Sequence, residues 1–189
     1  MMKKIFAAST LFIALFCLSF QMNETDLAHW DKKIKLNWDD YKGKFNEKDT
    51  LPVKSFVLLD FQYQIKGDSL FMTLRNVLVR KNSWLNPSAK SKELLANEQA
   101  YFDIAEIHTR RMRKLLYTGK IPYNAANVTV SSYYRTTIKD RNYEQAKFRN
   151  ETNYGKNKAK LTEWQAKIKK ELLDLDQWNA EKVHIKLIR

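Results

Sequence analysis

Apolar positions change their spacing several times along the chain, and each change marks an element. From Val53 onward Phe56 and Leu58 fall on one face, while Val57, Leu59, Phe61, Tyr63 and Ile65 fall on the other. Gly67-Asp68-Ser69 interrupts this run and Leu70 to Val79 resumes it, so a β-hairpin is predicted. Since both faces carry apolar groups, the strand pair is expected to be covered on both sides. Upstream, Ile34-Lys35-Leu36-Asn37-Trp38 alternates like a short edge strand, and Asp39-Asp40-Tyr41-Lys42-Gly43 reads as a solvated turn.

After the hairpin the spacing becomes helical. Ser91 is a capping residue, Glu93 suits a first turn, and Leu94, Tyr101, Ala105, His108, Met112 and Leu115 recur at three, four and seven, predicting one buried stripe. Arg110, Arg111, Arg113 and Lys114 crowd the last turns, where a helix dipole favours cations. Tyr117 to Pro122 ends this helix. A second is predicted from Asn127 to Arg149 on Val130, Tyr134, Ile138 and Phe148, although its β-branched clusters lower helix propensity. Asn153-Tyr154-Gly155 breaks it, and a third helix carries Leu161, Trp164, Ile168, Leu172 and Leu175. Val183 to Leu187 alternates like a closing strand. The expected fold class is α+β, an antiparallel hairpin sheet packed against three helices.

Composition agrees with a single core. The 189 residues are 44% hydrophobic, with four Gly and three Pro too dispersed to build a linker. Lys3 and Lys4 followed by the apolar stretch Ile5 to Leu18 read as an export signal, short for a membrane span. Cleavage after Ser19 assigns 1–19 to the signal and 20–189 to one domain, placed in the periplasm or outside the cell. A lipid-modified Cys17 is the alternative, but Phe16 before it fits poorly the small residue such processing prefers. Losing the two lysines lowers the formal net charge from +13 to +11, and losing Cys17 leaves no disulfide. Such a charge favours an acidic protein, an acidic peptide or an anionic envelope component. Nucleic acid is not the expected partner, because the basic residues are spread over helix faces rather than gathered in one stripe.

The chemistry concentrates in one segment. Ser83-Trp84-Leu85-Asn86-Pro87 leads into Glu93-Leu94-Leu95-Ala96-Asn97-Glu98-Gln99-Ala100-Tyr101-Phe102-Asp103-Ile104-Ala105-Glu106. It resembles the signature of a bacterial family of predicted secreted zinc-dependent proteases, whose helix reads Leu-Leu-x-His-Glu-Gln-x-His-Phe-Asp-Ile-x-Glu. Leu36 to Gly43 is similar to that family's opening motif. Thr152-Asn153-Tyr154-Gly155, with Trp164 and Ile168, is similar to its closing Thr-x-His-Gly motif and the helix after it. The resemblance implies a zincin-like motif helix in which two histidines four apart and a third from the closing motif hold zinc.

Here those three positions are Asn97, Tyr101 and Tyr154. Only Glu98, in the place of the general base, is retained, and a carboxylate cannot by itself bring the pKa of water down from ~15.7 to ~7 as zinc does. An amide oxygen and a phenol of reference pKa ~10 are not usual zinc ligands. The resemblance therefore implies a degenerate member without its zinc, acting as a binding module in the cell envelope, with Glu98 a relic. Two alternatives remain: an active metallopeptidase with an unusual metal site built around Glu98 and His108, with Asp103 or Glu106 (Glu98, His108 and Glu106 forming the possible cleft), and a structural envelope protein with a basic surface. His29 and His184 suit surface or partly packed roles, and no Gly-rich phosphate loop is present.

Overall fold

The computed structural model describes residues 23–189, so the signal segment and Cys17 lie outside the described residues. Strands β1 (Leu27–His29), β2 (Val53–Lys54), β3 (Val57–Lys66), β4 (Ser69–Val79), β5 (Trp84–Leu85) and β6 (Lys182–Lys186) alternate with α1 (Lys92–Thr118), α2 (Ala126–Thr152) and α3 (Lys158–Asp174). The fold is α+β, with antiparallel sheets and three helices.

The hairpin is the backbone of the larger sheet. Its register runs from Val57 opposite Leu78 to Lys66 opposite Ser69, and Gly67 turns the chain at φ 61°, which glycine adopts without steric cost. The other edge of β4 is shared: β1 pairs with Leu78 and its neighbours, and β6 pairs with Ser69 to Thr73. β2 and β5 form a separate two-stranded ribbon.

Period two decides what β4 buries. Leu70, Met72 and Leu74 are buried against Met112, Leu116 and Val130. On the opposite face Phe71, Thr73 and Arg75 are only partly buried, with Phe71 stacked on His184 at 4.3 Å and Arg75 paired to Asp60. The sheet is therefore covered by helices on one face, not two as the apolar pattern suggested. The apolar groups of the second face lie at the far end of the hairpin from its turn, where Leu58 packs on Leu27, Val77 and Val79 and Phe56 is 36% exposed.

α1 is the central element. Phe102 and Ala105 pack toward the sheet, while Ala100, Ile104 and Ile107 pack on Phe148, Leu161, Trp164 and Ile168 of α2 and α3. A helix buried on two sides has no spare polar face, so each polar residue within it requires a partner. Glu106 is paired with both Arg110 and Arg113. Arg113 goes on to the Leu74 carbonyl and Arg110 to the Leu172 carbonyl. These two arginines are thus buried ties between layers rather than dipole-compensating surface charges, a correction to the reading of the last turns. The expected single stripe is also incomplete: Leu115 is 40% exposed.

Two upstream expectations are replaced. Ile34 to Trp38 forms no strand: the Leu36 amide donates to the Gln99 side chain (2.8 Å), and Asn37 caps a 3-10 turn at Trp38–Asp40. Asp40 is buried rather than solvated, accepting from the Asn37 amide and from Arg80 (2.9 Å). Among the described residues no helix is long and apolar enough to cross a membrane.

One ion network staples the three helices and sets the acid response. Glu144 of α2 accepts from His108 of α1 (2.8 Å) and Lys167 of α3 (2.6 Å), while Arg111 reaches Glu171 (2.5 Å). The His108 hydrogen bond, aided by Lys167 against the opposing effect of burial, lowers the Glu144 pKa to about 2. A carboxyl depressed in the folded state stabilises it above the unfolded pKa of ~4.3 and loses that contribution as pH falls toward the folded value. Glu144→Gln should therefore lower thermal stability at pH 7 and narrow its gap to the parent between pH 4.5 and 2. A gap constant over that range, followed by circular dichroism, would refute this role.

Candidate functional site

The motif positions meet where the start of α1 faces the end of α2. Ser91 caps α1 by accepting from the Leu94 amide (3.1 Å), which places Asn97 and Glu98 in the second turn, both fully buried. α2 ends in a left-handed corner, with Asn153, Tyr154 and Gly155 at φ 45°, 55° and 83°. The Asn153 amide donates to the Arg149 carbonyl (2.9 Å), a typical left-handed helix stop.

Gly155 pins this corner to α1. A Cβ at this position would lie 2.7 Å from the Glu93 carbonyl oxygen and 3.3 Å from the Asn97 Cβ, so the two backbones approach as closely as glycine alone permits. Gly155→Ala combines that clash with an unfavourable φ and should cost more than about 1 kcal/mol in a urea melt. A neutral result would mean that the corner is free to move off α1.

At the centre of Asn97, Tyr101 and Tyr154, the positions that the resemblance assigns to ligands, stands a guanidinium. Arg149 donates from Nη1 to Asn97 Oδ1 (2.8 Å) and to Glu98 Oε1, and from Nη2 to Glu98 Oε2 (2.5 Å). Its Cζ lies 4.2 Å from the Tyr101 ring centroid and 4.7 Å from that of Tyr154, so two aromatic faces sandwich the cation. Asn97 is held in turn by donating to Thr152 Oγ1 (2.8 Å), whose hydroxyl donates to the Phe148 carbonyl. On the far side Ser55 donates to Glu98 Oε2 (2.6 Å), leaving Tyr41 to donate to the Ser55 oxygen (2.8 Å).

The electrostatics follow from this packing. Burial works against the Arg149 charge, but Glu98 outweighs it and the arginine pKa is raised. Burial, with the Glu98 charge beyond it, pushes the Tyr41 phenol well up, and burial also raises Tyr101. Both phenols are therefore neutral at physiological pH, and the cluster balances one cation against one anion. It offers neither a charge-deficient donor set nor an available base, because both Glu98 oxygens are bound. The residues present do not fit zinc: a bound metal would have to share its place with a guanidinium, facing one amide oxygen and two phenol rings that stack on that guanidinium.

Glu98, Glu106 and His108 do not share a cleft. Glu98 belongs to the Arg149 cluster, Glu106 to Arg110 and Arg113, and His108 to Glu144. Among the described residues, no group of three or more His, Cys, Asp or Glu side chains is placed to hold a metal ion. The residue that sequence reasoning missed is Arg149. A signal existed: it lies one helical turn before the break that positions Tyr154, and a fully buried Glu98 demands a cation.

Beside the cluster lies a recess of about 260 Å³ between the β2–β5 ribbon and the α2 corner, lined by Leu51, Pro52, Asn86, Ala89, Tyr154 and Lys156 among others. No family model, curated protein or solved structure matches the chain.

Proposed function

We propose that the protein is an exported, non-catalytic relative of secreted zinc-dependent proteases, in which the Arg149 guanidinium has taken the place of the metal and the old cleft serves to bind. One observation carries this reading. Asn97, Tyr101 and Tyr154, chosen as former ligand positions from the motif alone, all contact the same cation, and the retained Glu98 contacts it too. A positive charge held by these four residues is what a metal site leaves when its ion is exchanged for a side chain.

Binding then falls to the recess beside Tyr154. Lys156 on its rim and the basic character of the chain favour an acidic peptide or an anionic envelope component. Arg149 contributes rigidity rather than chemistry, because its hydrogen bonds and both ring contacts are used inside the protein.

Metal content tests this directly. The purified domain should carry no stoichiometric zinc, hydrolyse no peptide, and melt at the same temperature with and without a chelator. About one equivalent of zinc per chain, with a chelator-induced loss of stability, would sink the proposal in favour of an active metallopeptidase.

A further inference from the structure

A second concavity lies away from the Arg149 cluster. Trp30, α1 and α3 enclose a groove of about 480 Å³, within the ~300–1,000 Å³ range of small-molecule sites. Its floor is apolar, built from Ala96, Ala100, Ile168 and Leu172, and the two alanines on α1 give it depth. The Trp30 wall is fixed in advance: its Nε1 donates to Asp103 Oδ1 (2.7 Å), and the Arg110 guanidinium lies 4.9 Å from its ring centroid. Arg110 is itself held by Glu106. A preformed wall reduces the ordering cost of binding.

The mouth is cationic. Lys32, Lys35 and Lys169 line it against two acids, Asp103 and Asp176, while Arg110 is buried in the wall and neutralised by Glu106. Asp103 is occupied by Trp30 and Gln99, and burial raises its pKa. Asp176 faces Arg110 at 3.4 Å and Lys32 at 3.8 Å. Lys35 and Lys169, both exposed, have no carboxylate within ion-pair distance among the described residues. An apolar trough closed by two unpaired ammonium groups is complementary to a molecule with an alkyl tail and an anionic head.

We infer that this groove binds a single-chain amphipathic anion, a long-chain carboxylate, with its tail against Ala96, Ala100 and Ile168 and its head between Lys35 and Lys169. Monomeric dodecanoate, kept below its micellar concentration, is the probe, and dodecyltrimethylammonium is its cationic counterpart with the same tail. Calorimetry on the parent should show one dodecanoate per chain and no binding of the trimethylammonium compound. Ala96→Trp, which fills the trough from a half-buried position, should abolish binding.

The pair Lys35→Glu and Lys169→Glu should weaken binding at least about tenfold. The pair Arg135→Glu and Lys139→Glu, on exposed positions of α2 that contribute nothing to the groove, should leave it unchanged. If Ala96→Trp fails to fold, the two charge pairs decide alone. Absence of dodecanoate binding, binding unchanged in folded Ala96→Trp, equal binding of the cationic probe, or equal weakening by both charge pairs would each overturn the inference.

Discussion

Arg149→Ala is expected to destabilise the protein by on the order of 3–5 kcal/mol, a large part of the ~5–15 kcal/mol that holds a domain of this size together. The cause is what the substitution leaves behind. Glu98 is fully buried, and without the guanidinium only the Ser55 hydroxyl, among the described residues, donates to its carboxylate. Asn97 loses the donor to its side-chain oxygen, and Tyr101 and Tyr154 lose the cation between them. Glu98→Ala should be comparably damaging, because it strands the arginine. Replacing both residues together by methionine removes the two charges at once and should recover most of the loss, since a buried ion pair is often matched by apolar residues of similar volume. A urea-denaturation double-mutant cycle measures this coupling, and additive losses would show that the two residues stand independently.

The second large effect concerns zinc. Changing Asn97, Tyr101 and Tyr154 to histidine supplies three imidazoles, but the triple variant should still bind no zinc. Arg149 would remain among them with its charge on Glu98, and a divalent ion cannot enter beside a guanidinium already paired there. Adding Arg149→Ala to the three histidines empties the position and frees Glu98. The resulting fourfold variant should take up about one zinc per chain and gain stability on binding, because the ion restores the missing positive charge. The four changes matter as a set: three of them occupy positions readable from the motif, and the fourth is apparent only once the helices are packed.

That difference marks how far local patterning reaches in this protein. The hairpin and the three helices were legible because turns, caps and helical spacing are local: Gly67, Ser91 and the corner at Asn153 to Gly155 act within a few residues of themselves. What misled was any segment whose partners are distant in sequence. Leu36 sits in an alternating stretch that resembles a strand, yet its amide bonds a side chain 63 residues away. Asp40 looks like part of a solvated turn until Arg80 arrives, and Arg113 looks like a helix-end charge until the Leu74 carbonyl does. Arg149 is the same case at the site. Spacing placed Asn97 and Tyr101 one turn apart on a helix, but the identity of the group between them depends on how α2 crosses α1.

The zinc titration of the two histidine variants tests the central claim most directly, because it asks whether Arg149 stands where a metal would. Isothermal calorimetry on folded protein should show about one site in the variant combining Asn97→His, Tyr101→His, Tyr154→His and Arg149→Ala, and none when Arg149 is kept. Equal affinity in the two variants would show that the guanidinium does not occupy the metal position. A folded fourfold variant with no more affinity for zinc than the parent would show that the three positions do not form a metal site, and the proposed kinship with zinc proteases would fall with them.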